Sequence, residues 1–278
     1  VLFLDLMLGA LAMMNPFLGI LLMFTGLHMR MIRTQGKPQN SALLWLVFPV
    51  LSAFFVLQQP PLMLLAADAF FGAGLAVLLY IWSLQRFGKP VLALTHAALL
   101  IIIYGMLRYH VFETHISSSF TQAMAEVERL MPQLLQTDQT RQSLEFMQTM
   151  LPASWIVSQL TALTLGFLIH MRFLGFRQSL RHMMLPVYYN LLVLAVLPLY
   201  FLPQFRGLLL NSLVALLLLP FFQGIGVLLH WFARESTNFL LILLVAVLAI
   251  TNTIPVALIG FADIWLDFRK LKIKGNHS

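Results

Sequence analysis

The sequence predicts an all-α fold, a polytopic helical bundle in a membrane with about eight membrane segments. Three observations carry that expectation. The 278-residue chain is 60% hydrophobic and only 10% charged, with a mean hydropathy of +0.88, whereas soluble globular domains carry about 25% charged residues. Apolar runs of about 20 residues, long enough to cross a hydrocarbon core about 30 Å thick, recur along the whole length. The net charge of +7 gathers in short turns between those runs, which fits positive-inside topology rather than a nucleic-acid surface. No nucleic-acid partner is therefore expected; the lipid bilayer is the first partner. Residues 1–278 read as one membrane domain without a separate soluble catalytic domain. The absence of cysteine excludes disulfides, iron–sulfur clusters and thiolate zinc sites.

In chain order, residues 1–14 form an apolar stretch too short to span alone. The chain opens on Val1 with no basic region before this run, so no secretory signal peptide is expected. A first full span is expected from Pro16 to Ile32, running into a basic turn with Arg30, Arg33 and Lys37. A second, 41–57, stops at Pro60-Pro61, since proline pairs remove donors and constrain the preceding residue. The third, 62–82, carries Asp68 and the small residues Gly72-Ala73-Gly74, and the fourth covers 91–112 after Gly88-Lys89-Pro90.

Residues 113–152 break this pattern. They hold Glu113, Glu126, Glu128, Asp138 and Glu145 against Arg129 and Arg141, with apolar residues at helical spacing and interruptions at Pro132 and Pro152. This composition predicts an amphipathic helical insertion of one or two helices, on the membrane surface or capping the bundle. Span five covers 153–171, span six 186–202 between prolines, span seven 207–232, and span eight 238–262 with a kink expected at Pro255.

The basic turns near 30–37, 86–89 and 172–181 should be cytoplasmic, and the acidic insertion extracytoplasmic. One conflict follows. Three further crossings from Arg181 put the C-terminus outside, yet Arg269, Lys270, Lys272 and Lys274 argue for inside. A re-entrant segment among the last three would remove it, and the proline-flanked sixth is the candidate.

The stretch from Asn211 to Arg269 holds most of the polar marks: Asn211, Gln223, His230 and Asn252 inside apolar runs, then Asp263, Trp265, Asp267 and Arg269. Gln223, Gly226 and His230 are spaced i, i+3, i+7 and share one helix face. They would line a cavity for a small solute or make interhelical hydrogen bonds, which are worth about 0.6 to 2 kcal/mol each. Asn211 lies about 120° round the helix and faces another neighbour. Asp263 and Asp267 are i, i+4. Two acids at a helix C-terminus oppose its dipole, so Arg269 or Lys270 should offset them, with Trp265 at the interface. That cluster reads either as a helix-end brace or as a partner-docking surface. Asp68 is read as the only acid well inside an upstream span. It would serve proton coupling or pair with His96 or Arg108 on the next span.

This C-terminal stretch resembles the YybS-like family of uncharacterised bacterial integral membrane proteins, a domain of unknown function. The likeness lies in Asn211, Phe221-Phe-Gln-Gly-Ile-Gly226, His230 and the ending Gly260-Phe-Ala-Asp-Ile-Trp-Leu-Asp-Phe-Arg-Lys270. The family in turn is remotely similar to the substrate-binding subunits of energy-coupling-factor transporters. Those are small helical membrane proteins that bind a vitamin or metal and dock on a shared energising module. The resemblance implies a bacterial cytoplasmic membrane, a small-molecule solute and a membrane protein partner. The chain departs from that group in having more segments and no Ala-x-x-x-Ala docking motif near its N-terminus.

No P-loop, dinucleotide fingerprint, Ser/His/Asp set or HEXXH site is present, so no enzymatic activity and no cofactor are expected. His96 and His170 read as packing residues. His110, Glu113 and His115 could share a metal, but their spacing is loose and no fourth ligand is suggested, so no metal site is assigned. The fifteen methionines fill gaps in the core. The expected function is a transport-type subunit that binds a solute through Asn211, Gln223, His230 and Asp68 and works with a partner complex. Gln223→Ala should then abolish solute binding. The alternative is a non-catalytic structural or assembly subunit of a larger membrane complex.

Overall fold

The computed structural model describes residues 2–33, 40–56, 59–131, 138–173, 180–232 and 239–271. Lys37, Pro132, Lys272 and Lys274, used above to read turns and orientation, lie outside them, as does the middle of the 172–181 turn with Arg177. The described residues are almost all helical, with no strand. Helix α1 (Leu2–Met14) turns at Asn15 into α2 (Pro16–Arg33), and a 3-10 stretch (Asn40–Leu46) leads into α3 (Val47–Val56). Helix α4 (Pro60–Ala67) passes through a π-helical stretch (Asp68–Leu75) into α5 (Ala76–Phe87), and α6 runs from Pro90 to Leu130. Then come α7 (Asp138–Thr149), α8 (Leu151–Phe173), a 3-10 turn (Leu180–His182) and α9 (Tyr188–Val196) with 3-10 extensions to Phe205. Helices α10 (Arg206–Phe232), α11 (Phe239–Thr251) and α12 (Thr253–Leu266) finish the chain.

Several of these helices are long and apolar enough to embed the protein in a membrane, but fewer than the sequence suggested. Among the described residues four qualify as spans by length and composition: Pro61–Phe87, Pro90–Leu130, Leu151–Phe173 and Pro203–Phe232; the bent pair α11–α12 makes at most five. The expected segment at 16–32 coincides with α2 (Pro16–Arg33), whereas among the described residues those at 41–57 and 186–202, and the stretch at the N-terminus, appear as shorter apolar helices. Hydropathy registers how greasy a run is, not whether the helix stays straight through it. The 3-10 stretch before Val47 and the one that begins at Leu197-Pro198 each interrupt a run.

The fourth span does not stop at 112. Helix α6 has 41 residues, about 60 Å, twice the thickness of a hydrocarbon core. Its only deviation from helical backbone angles is at Phe112 (φ −110°, ψ 20°). The first part of the acidic insertion is thus the continuation of a spanning helix, and its side chains from Glu113 to Leu130 are exposed or half-buried.

The core joins α2, α5, α6 and α8. Small residues (Ala69, Ala73, Ala76, Ala93, Ala97, Ala98 and Ala162) are fully buried there and let the backbones approach. Close packing is what holds helices together in lipid, where apolar burial gains little. Phe24 sits between these helices with its ring 5.0 Å from that of Tyr80, in the space that Gly166 leaves free. A second body of contacts joins α10 to α12. A Cβ on Gly260 would collide with the Pro220 carbonyl, and one on Gly224 with the Val256 carbonyl. The two backbones touch at this crossing.

The last expected span is a sharp bend of 102° between α11 and α12 at Asn252, not a kink at Pro255. Pro255 sits in the first turn of α12, where a missing N–H costs nothing. The bend also removes the charge conflict. Trp231, near the end of α10, packs on Phe268 with ring centroids 5.8 Å apart, and Arg269 reaches the Leu180 and Arg181 carbonyls. Between Trp231 and Phe268 the chain therefore leaves one end of the bundle and returns to it, the end that bears Arg172 and Arg181. The returning pair is the expected eighth segment and not the proline-flanked sixth.

Candidate functional site

The polar residues singled out in the sequence fall into three separate groups. The first is a buried lock at the basic end. Helix α12 closes on Asp267 in the left-handed region (φ 47°, ψ 53°), its N–H returning to the Asp263 carbonyl at 2.9 Å. The Asp267 carboxylate then accepts the Leu271 N–H at 2.8 Å. Asp tolerates this conformation better than most residues, and the reversal turns Arg269 back under the helix end. Arg269 donates to Asp263 Oδ2 at 2.6 Å, to the Met183 carbonyl at 2.7 Å, to Arg181 at 2.9 Å and to Leu180 at 3.2 Å. Gln223 donates to the same Asp263 oxygen at 2.7 Å and accepts the Leu185 N–H at 2.8 Å. All three side chains are buried. Gly226 permits the arrangement, because a Cβ there would strike the Leu180 carbonyl.

Gln223, expected to line a cavity, and Asp263 and Arg269, expected to brace or dock, thus form one unit. It fixes the 180–185 segment onto α10 and α12. The expected offset of the acids holds for Asp263, which Arg269 neutralises. Trp265 is 47% exposed and meets Phe261 edge-on. His230 is half-buried in the last turn of α10.

The second group links α4–α5 to α6. Arg108 clasps Asp68 bidentately, Nε to Oδ1 at 2.7 Å and Nη2 to Oδ2 at 2.9 Å, and Tyr104 donates to Oδ1 at 2.7 Å. The guanidinium lies 4.8 Å from the centre of the Trp155 ring on α8, a cation–π geometry. Of the two partners considered for Asp68, Arg108 takes the role. His96 is instead 2.8 Å from Ser83 Oγ. Asp68 was not the only such acid: Asp5 is fully buried in α1 and accepts the Trp45 indole N–H at 3.0 Å.

The third group surrounds Asn211. Its Oδ1 accepts the Ala153 N–H at 2.8 Å, an amide in the first turn of α8 that has no intrahelical partner. Its Nδ2 donates to the Thr149 carbonyl at 2.8 Å and to Gly207 at 2.7 Å. Asn211 is therefore a helix cap supplied from a neighbouring helix. It also borders a cavity of about 480 Å³ with Met106, Tyr109, His110, Glu113, Gln204 and Leu208. A second cavity, about 430 Å³, lies beside the Phe112 deviation and includes His115. His110 and Glu113 thus belong to one cavity and His115 to the other. Among the described residues no three His, Cys, Asp or Glu side chains gather to hold a metal.

Asn211 and Gln223 are twelve residues apart on one helix, about 18 Å, so the two do not share a cavity. The sequence reading passed over Tyr104 and Trp155. It also passed over Tyr189, which donates to the Leu216 carbonyl at 2.9 Å, and Asn190, whose Nδ2 donates to the Phe261 carbonyl at 3.2 Å.

Fold and polar groups define the class: an all-helical, membrane-embedded protein whose buried polar side chains lock its helices. Comparison with family models, curated proteins and solved structures finds no match to the chain. The likeness to the YybS-like family is carried by the quoted residues alone.

Proposed function

We propose that the protein is a non-catalytic, transport-type subunit of a bacterial cytoplasmic membrane that binds a small solute and works with a partner complex. One observation carries the reading: the cavity of about 480 Å³ between α6 and α10 at the acidic end. Its volume falls within the range of small-molecule sites, and it is an open cleft in which several polar groups converge beside a small apolar wall. Met106 and Leu208 supply the apolar wall; Tyr109, His110, Glu113, Gln204 and Asn211 supply the polar groups. Of the residues first expected to bind solute, only Asn211 belongs to this site.

The test is mass spectrometry of the protein purified gently from native membranes, scanning for small molecules and proteins together. A stoichiometric metabolite that disappears in the Glu113→Ala and His110→Ala proteins, while Gln223→Ala retains it, supports the reading. The structural or assembly alternative rests on a different observation. Gln223, Asp263, Arg269 and Asn211 all engage partners within the chain. A stable complex of other membrane subunits with no metabolite would favour that alternative.

A further inference from the structure

The cleft between α6 and α10 carries charge of one sign. Glu113 is its one carboxylate, and neither lysine nor arginine lines it. The arginines closest to it in sequence are placed otherwise. Arg108 is held by Asp68 and lies over Trp155, while Arg206, at the start of α10, is exposed and outside the lining. Donors that a bound anion would need are spent. Both N–H bonds of the Asn211 amide go to the Thr149 and Gly207 carbonyls, and Asn211 Oδ1 takes the Ala153 amide. The Thr149 hydroxyl donates to the Glu145 carbonyl. The side chains of Tyr109, His110, Glu113 and Gln204 remain, none with a partner among the described residues. An ionised carboxylate only accepts, and the other three can accept as well as donate.

Helices α8 and α10 both begin beside the cleft, and their positive ends, about half a charge each, work the other way. At α8 that end meets the end of α7 at Thr149, which has the opposite sign. The α10 end alone is left, about half a charge against the full charge of the carboxylate. The surroundings add to the carboxylate. Residues 113–152 hold Glu113, Glu126, Glu128, Asp138 and Glu145 against two arginines, one of which, Arg129, is paired with Glu126 at 2.6 Å. Such a field concentrates cations. A bare metal ion does not suit the site, since calcium takes about six to eight oxygens and zinc about four ligands. Only His110 and Glu113 converge here, and no group of three forms among the described residues. A volume of about 480 Å³ instead leaves room for an organic body beside the charge. Met106, Leu208 and the Tyr109 ring border that room, and aromatic rings are favourable neighbours for ammonium groups.

We propose that the solute is a small organic cation, an amine or quaternary ammonium compound, with Glu113 as its counter-charge and Tyr109 beside its alkyl groups. This names the substrate class of the cleft and rests on solute binding there.

The test compares full-length unmodified, Glu113→Gln and Glu113→Asp proteins purified gently from native membranes, with bound small molecules released and identified by mass spectrometry. Glu113 is exposed, so all three should unfold at the same temperature. The expected compound carries an amine or quaternary nitrogen. Its affinity should fall about 10- to 100-fold in Glu113→Gln, the worth of a charge-assisted hydrogen bond, and be largely kept in Glu113→Asp. Tetramethylammonium chloride added to the unmodified protein should release it, and sodium chloride at the same concentration should not. A neutral or anionic compound, a cation that Glu113→Gln retains in full, or equal release by sodium chloride overturns the cation assignment while solute binding stands. Recovery of no compound from the unmodified protein overturns solute binding at the cleft, and the assignment with it.

Discussion

The two Arg–carboxylate pairs solve the same problem in opposite ways. In the Asp68–Arg108 pair the carboxylate is the hub. Both oxygens are used, by three donors from Arg108 and Tyr104. The pair keeps slight contact with its surroundings, with side-chain exposures of 12% for Arg108 and 4% for Asp68. In the Asp263–Arg269 pair the arginine is the hub and both side chains are 0% exposed. Asp263 takes its bonds through Oδ2, while the guanidinium serves three backbone carbonyls besides. One pair ties a helix to the next helix; the other ties a helix end to an irregular segment. Irregular backbone has carbonyls to satisfy at membrane depth, and a fork of five N–H donors is suited to that task.

The comparison predicts that the arginine-centred lock breaks harder. Arg269→Ala strands the Asp263 carboxylate and three carbonyls together, and should cost about 3–5 kcal/mol, read as a fall in thermal unfolding temperature in detergent. Gly260→Ala attacks the same region through the α10–α12 crossing. The atom in the way is the Pro220 backbone carbonyl, which cannot swing aside, so a loss near the upper end of overpacking costs is expected, about 3 kcal/mol. Asp68→Asn should cost less, about 2 kcal/mol, because Arg108 keeps its place over Trp155 and some access to solvent. Replacing both partners, Asp68→Leu with Arg108→Met, should recover most of that loss in the same unfolding assay. Failure to recover would show that the pair is needed for more than mutual neutralisation.

Much of this was legible in the sequence, but unevenly. The helical class followed from composition, and the offset of Asp263 by Arg269 from the cost of acids at a helix end. The Asp68–Arg108 pair had a positional signal. Asp68 lies twenty residues before Gly88 and Arg108 nineteen after Lys89, so an antiparallel hairpin brings them to equal depth. What the sequence hid was long-range. Nothing in a linear pattern reports that Leu180 and Met183 offer bare carbonyls to Arg269, or that Gln223 meets the 180–185 segment. The expected count of about eight segments is not confirmed, for a related reason. A run such as 238–262 has a high mean hydropathy, and the bend of 102° falls at its short polar stretch, Thr251-Asn252-Thr253.

The smallest effect separates capping from solute binding at Asn211. Asn211→Ala removes the acceptor for the Ala153 amide and the donor to the Thr149 carbonyl, and should cost about 1–2 kcal/mol of stability. Asn211→Asp keeps the acceptor and, with its added charge at the first turn of α8, suits the helix dipole. It gives up the donation to Thr149 and Gly207. If Asn211 matters only as a cap, any metabolite that co-purifies should be unchanged in the Asp protein, which should lose about 1–3 kcal/mol because the Thr149 and Gly207 carbonyls face an oxygen in place of their donor. If the amide also faces solute in the cavity shared with Glu113, the Asp protein folds at the same modest cost but loses the metabolite. A second carboxylate beside Glu113 alters what the site accepts, while the fold still has its cap.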